Sequence, residues 1–242
     1  MNSKSRFGYS LRVLLLAGGL LLSGCATTDA EFADPRDPLE GFNRAMFSLN
    51  DMLDRALFKP LAQGYQFIVP APVDKGVTNF FNNLGDVTTA INNLLQLKVG
   101  RAANDLGRVV VNSTLGIGGL FDVASNMDLP RHDEDFGQTL GTWGVASGPY
   151  LVLPIIGSSS GRDAVGVVVD WFTDPLTYLE DDTLRWSLRG LDFVDTRADL
   201  LSASRVVDEA ALDPYAFVRD AYLQRRRNLV YDGNPPPEEE DF

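Results

Sequence analysis

Asp37-Pro-Leu-Glu-Gly-Phe-Asn-Arg-Ala-Met-Phe-Ser-Leu-Asn-Asp-Met-Leu-Asp-Arg-Ala-Leu-Phe58 carries the first strong structural signal of the chain. Asp37 can cap a helix, Pro38 suits its first position and Glu40 stands at N3. Leu39, Phe42, Met46, Leu49, Leu53 and Leu57 recur every three or four residues. That spacing predicts an amphipathic helix to about Phe58. Pro60, Pro70 and Pro72 are expected to break the chain after it.

The same pattern repeats outward from this helix. A second helix is expected from Val73 to Asn83, and a third capped by Asp86 and running to about Leu97. A fourth, Val99 to Asn112, carries Val99, Ala102, Ala103, Leu106, Val109 and Val110, with Arg101 and Asp105 paired on its wet face. Ser160-Gly-Arg-Asp163 reads as a capping box before Val165 to Phe172. Asp182 to Val207 is a long amphipathic pattern, and Asp213-Pro214 opens a last helix to about Val230. Convincing period-2 alternation is absent, as is an internal repeat. The expected fold class is all-α in a single domain.

Composition narrows the chemistry. The chain has 242 residues, 45% of them hydrophobic, which is enough for a core and excludes wholesale disorder. A net charge of −12 argues against nucleic acid as a partner. One Cys and one His, Cys25 and His132, exclude a disulfide framework and multi-histidine metal sites.

The amino terminus reads as an address. Lys4, Arg6 and Arg12 precede the apolar run Val13 to Leu22, which is too short to anchor across a bilayer. Leu22-Ser-Gly-Cys25 matches the bacterial lipobox. The match implies cleavage after residue 24 and acylation of Cys25; an ordinary signal peptide with a leftover Cys is the plainer alternative. Removing residues 1–24 takes away three basic residues and no acid, so the net charge moves from −12 to −15. Ala26 after the Cys implies the outer membrane under the sorting rule of Gram-negative lipoproteins. Residues 25–33 then form a lipidated tether, and residues 233–242 a disordered acidic tail.

From Phe136 to Gly161 the chain has no Asp, Glu, Lys or Arg in 26 residues. Gly and Pro interrupt it, so it is not a transmembrane helix. Gly137 and Gly141, four apart like Gly144 and Gly148, would let backbones pack closely. Tyr150-Leu151-Val152-Leu153 begins an apolar spur. The segment is either buried core of a soluble helical protein or a re-entrant piece at bilayer depth, covered by protein beside a cavity.

Catalytic patterns are present but incomplete. Gly157-Ser-Ser159-Ser-Gly161 has the form of a nucleophile elbow, yet His132 precedes Ser159 in the chain and Ser160 is better used as a cap. Arg131-His-Asp-Glu-Asp135 reads as an exposed polar loop rather than a metal site. Gly116-Ile-Gly118-Gly119 lacks the pattern of a dinucleotide loop and reads as a tight turn. Arg225-Arg226-Arg227 suits the end of the last helix, with partner docking as an alternative.

Taken together, Asp37-Pro-Leu-Glu-Gly-Phe-Asn-Arg44, Asn112 to Ala124, Phe136-Gly-Gln-Thr-Leu-Gly141 with Gly148-Pro-Tyr150, Asp213-Pro-Tyr215 and Ala221 to Arg225 resemble the MlaA (VacJ) family of outer-membrane lipoproteins. The resemblance covers nearly all of residues 34–232. It implies a helical ring in the inner leaflet with a central amphipathic channel, bound to a porin trimer. It implies removal of phospholipids mislocalised to the outer leaflet and their transfer to a periplasmic shuttle, MlaC, without cofactor, metal or enzymatic step. Candidate residues for a lipid path are Phe42, Asn43 and Asn50, with Asp54 on the same line, and Gly116, Gly118 and Gly119 at a rim. Gly137, Gly141, Tyr150 and Leu151 are candidates for membrane contact.

Overall fold

The computed structural model describes residues 34–237. The proposed signal peptide, Cys25, the tether and the last five residues of the acidic tail lie outside the described residues. The first helix, α1, spans Glu40–Leu53. The helical path continues beyond it through Pro60. One π-helical turn, Asp54–Phe58, joins it to α2, Lys59–Ile68. In that turn Lys59 N–H reaches back to Asp54 O, and the wider ladder takes up Pro60, which has no N–H to donate. The expected break at Pro60 is therefore absent.

Helix α3, Ala71–Leu95, is continuous where two helices were expected, and Asp86 lies inside it rather than at a cap. Helix α4 is Val99–Thr114 and α5 is Phe136–Thr142. The all-α expectation holds with one addition. Tyr150–Leu153 (β1) and Gly157–Ser160 (β2) form an antiparallel hairpin, Tyr150 opposite Ser160. Ser160 then caps α6, Gly161–Thr173, by accepting from Asp163 N–H, as the capping box predicts. The pattern after Asp182 divides into α7, Asp182–Asp199, and α8, Leu201–Ala210. Asp213 caps α9, Pro214–Val230.

The helices pack with their polar sides inward. Among the described residues, twenty polar or charged residues are buried against eleven apolar ones, five of which are alanines. In α4 Asp105, Arg108 and Asn112 are buried, while Val99, Leu106 and Val110 are exposed. Arg108 Nε donates to Asp86 at 3.0 Å, and its Nη2 to Asp122 at 3.2 Å. Asp105 accepts from Asn93 and lies 2.6 Å from His132 Nδ1. Arg101 instead pairs with Asp232. The expected Arg101–Asp105 pair on a wet face is thus not formed: the Asp105 carboxylate faces inward.

Residues 131–135 are also not simply an exposed loop. Glu134 is buried beside Gln96 and Lys98, and Asp135 caps α5. Arg226 of α9 bridges Asp135 and Asp163, donating to both carboxylates from Nη2 at 2.9 and 2.8 Å. Burial pushes the Asp163 carboxyl up, but Tyr222, Arg226 and Arg162 more than offset it and hold it below the ordinary range.

Large apolar side chains cover the outside instead. Phe67 is 92% exposed and Leu97 84%. Leu97, Ile117 and Ile155 combine exposure with positive φ, at 61°, 53° and 68°. Holding a β-branched residue there is strained. No helix among the described residues is long and apolar enough to cross a membrane.

Candidate functional site

Between α1, the hairpin, α7, α8 and α9 lies a cavity with two adjoining chambers. The larger, about 600 Å³, has walls of Phe47, Phe58, Val152, Ile155, Ile156 and Phe193. Phe58 and Phe193 meet edge to face, with ring centres 4.7 Å apart. The smaller, about 430 Å³, carries Arg44, Arg55, Lys59 and Arg197 against Asp51, Asp54, Asp208 and Asp213. Asp51, Asp54 and Arg197 line both. The cavity is thus amphipathic along its length. Its larger chamber falls within the roughly 300–1,000 Å³ of ligand-holding clefts.

Two asparagines of α1 set the hairpin against this cavity. Asn43, fully buried, donates from Nδ2 to Tyr150 O at 2.9 Å and accepts from Val152 N–H at 2.9 Å. Seven residues on, two turns along the same face, Asn50 donates to Leu153 O and accepts from Ile155 N–H. Tyr150 N–H donates to Arg36 O. A carboxamide offers the donor and acceptor of a peptide group, so these side chains pair the outer edge of β1 as a neighbouring strand would.

The candidate path residues therefore separate. Asn50 and Asp54 line the cavity. Asn43 does not: it is fully buried between Asp37 and the hairpin. Phe42 lies on the exposed side of α1. Gly116, Gly118 and Gly119 form a turn far from it along the chain, after α4. A side chain on Gly116 would collide with the carbonyls of Asn112 and Phe121, and Gly119, at φ 91°, packs on Asn83.

Gly137 backs onto Gly166 of α6, and Gly141 fits beneath Arg162 and Val230. These small residues permit close packing, as their spacing suggests. Tyr150 is buried against Tyr215 and Val152, and Leu151 is half-buried.

The residue missing from the sequence reading is Arg197. Its Nε and Nη2 donate to the two oxygens of Asp54 at 2.6 and 2.7 Å. That bidentate bond with Asp54 raises its pKa above the arginine norm, although burial opposes the charge. Its Nη1 is buried without a hydrogen-bond partner. Position alone gave little signal, since Arg197 merely flanks the stripe of Val194, Ala198 and Leu201.

Ser159 is buried, and its hydroxyl donates to the Ser160 carbonyl. His132 is engaged with Asp105. Among the described residues no cluster of three or more His, Cys, Asp or Glu could hold a metal ion.

Comparison with known proteins agrees with this architecture. The family model described as MlaA lipoprotein matches residues 35–229. The "intermembrane phospholipid transport system lipoprotein MlaA" of Escherichia coli K12 is 37% identical, over 95% of this chain and 92% of its own. The protein of the same name from Haemophilus influenzae is 33% identical over 90% and 89%. An uncharacterized protein of Rickettsia felis is 36% identical over 91% and 95%. A solved structure, described as the structural basis for maintenance of bacterial outer membrane lipid asymmetry, aligns with TM-score 0.70 at 37% identity. The alignment covers 80% of this chain and 98% of that one. The chain belongs to the MlaA lipoprotein family.

Proposed function

We propose that this protein removes phospholipids mislocalised to the outer leaflet of the outer membrane and passes them to a periplasmic lipid shuttle for return to the inner membrane. The observation that carries this reading is a largely apolar chamber adjoining a charged one, in a chain whose large apolar side chains face outward. Polar side chains turned inward and apolar ones outward suit a surrounding of acyl chains, where unpaired polar groups are costly. The names of the Escherichia coli and Haemophilus relatives support the same assignment.

The chemistry follows from the lining. A phospholipid presents a charged head and two apolar tails. Phe47, Phe58 and Phe193 give the tails a wall, and the paired cations and carboxylates give the head a polar place. Passage breaks no covalent bond, so the protein works as a conduit and not as an enzyme. Acylated Cys25 anchors it, with several chains contributing about 0.8 kcal/mol per buried CH₂. A porin trimer beside it and an MlaC-like shuttle below complete the route; both rest on the family resemblance.

The test is the phospholipid content of the outer leaflet, read with a reagent confined to that leaflet, in cells with and without the gene. Deletion should raise it, and both the wild-type and Ser159→Ala proteins should lower it again. An unchanged content would sink the reading and favour a lipoprotein that braces porins; failure of Ser159→Ala alone would favour a hydrolase.

A further inference from the structure

Arg197 holds a donor that the fold leaves unused. One edge of its guanidinium, Nε with Nη2, is spent on Asp54. Nη1 is buried and unpaired, and Arg197 lines both chambers at their junction. A guanidinium carries five N–H donors in a fixed fork. Once Asp54 has taken one edge, the Nη1 edge remains for a second oxygen acid. A buried donor without a partner is costly to the empty protein and strengthens any ligand that satisfies it. The residues around it suit the same ligand. Phe47 and Val218 line both chambers and give apolar contact beside it, while Arg44, Arg55 and Lys59 line the smaller chamber.

We propose that Arg197 is the residue that recognises the phosphodiester of a passing phospholipid, with Asp54 holding the guanidinium in position. This rests on the reading of the cavity as a lipid conduit and deepens it by naming the headgroup element that is recognised. Phosphate suits this edge because its oxygens match the parallel N–H pair and carry the charge that shortens such bonds. The lipid ester carbonyls offer neither. Lysine in the same place would keep the cation beside Asp54 but lose the fork.

The experiment uses the purified acylated protein in detergent and counts bound lipid by native mass spectrometry. The probes are palmitoyl-oleoyl phosphatidylethanolamine, palmitoyl-oleoyl phosphatidylglycerol and the matching diacylglycerol, which has the same tails and no phosphate. Wild type should bind both phospholipids at least tenfold more tightly than the diacylglycerol. Arg197→Lys should bring that preference to twofold or less while diacylglycerol binding stays unchanged. Asp54→Asn, which leaves the guanidinium in place, should keep the preference and shift it toward the anionic phosphatidylglycerol. Inorganic phosphate at 10 mM should not displace either phospholipid; displacement would mean a free-anion site and overturn the assignment. A preference that survives Arg197→Lys overturns it too, as does a loss of diacylglycerol binding in step with phospholipid. If wild type binds all three lipids equally, the conduit stands and phosphate recognition by Arg197 falls. If it binds none of them, the conduit falls as well.

Discussion

Gly166 backs directly onto Gly137: a methyl placed on Gly166 would stand 2.5 Å from the Gly137 nitrogen and 2.9 Å from its Cα. The contact is backbone against backbone, so no flexible side chain can yield. Gly166→Ala should therefore force α5 and α6 apart and destabilise the protein by about 1–3 kcal/mol, the usual effect of overpacking. Gly190→Ala is the control. It meets nothing within 4 Å, and Ala is the better helix former by about 1 kcal/mol. Thermal unfolding in detergent should separate the two substitutions by sign.

Arg226 joins α9 to the start of α5 and to α6 through Asp135 and Asp163. Removing it leaves the partly exposed Asp135 without its cation and the buried Asp163 with Arg162 alone. Arg226→Leu should lower stability by about 3–5 kcal/mol, measured by denaturant unfolding, whereas Arg225→Leu, on an exposed pair, should change it by less than about 1 kcal/mol. Equal effects would refute the bridging role.

Asn43 pairs an edge that would otherwise be open. Asn43→Ala leaves Tyr150 O and Val152 N–H unpaired, at about 1–3 kcal/mol for each group. The amide of Val152 should then exchange with deuterium much faster, while amides of α3 keep their protection. Unchanged exchange at Val152 would mean that β2 alone holds the hairpin.

The pH dependence has a defined sign at Asp192. Its pKa is pushed up to about 6 from 3.8, because burial disfavours the charge and Asp195 and Asp174 add repulsion, with Arg189 opposing them. A carboxyl that binds its proton more tightly when folded stabilises the fold below about pH 4 and loses that contribution as the pH rises through 6. Asp192→Asn should flatten the stability profile between these limits. At pH 7 it should raise the melting temperature by about 2–4 °C, the shift made by roughly 1 kcal/mol in a chain of this size. Asp170, also raised to about 6, leaves part of the slope in place.

Ile117 trades backbone strain for an apolar tip. Ile117→Gly relieves a positive φ and should raise stability in detergent by about 1–2 kcal/mol. The same change removes an exposed apolar side chain, so flotation of non-acylated protein on phospholipid vesicles should fall by about tenfold. Unaltered flotation would mean that this turn does not touch lipid.

Local signals read from the sequence divide: the caps expected at Asp37 and Asp86 are absent, since α1 starts behind Leu39 with no side-chain cap and Asp86 lies inside α3. The capping box at Ser160 and the start at Asp213-Pro214 both stand where the residues suggest. Periodicity also gave the right elements in α1 and α4. Its phase misled, because an amphipathic stripe does not say which of its faces meets the protein. Arg101 and Asp105 illustrate this, as does α7, where Arg189 and Asp195 turn inward while Leu184 and Trp186 stay exposed. In the candidate site Asn50 and Asp54 were legible as a line on one helix. Arg197 was not, since its importance lies in a contact across 143 residues of chain.

The π-turn at Asp54–Phe58 acts on the angle of everything before it. An α-helix advances about 100° per residue, so one residue more or less there swings α1 by that angle about its own axis. With the turn as it is, Asn43 and Asn50 meet the hairpin while Asp54 meets Arg197. Deleting one residue of the turn would keep every side chain upstream and point them all elsewhere. The extra residue is a phase setting, and through it the length of a single helical turn governs whether the hairpin and the cavity share one wall.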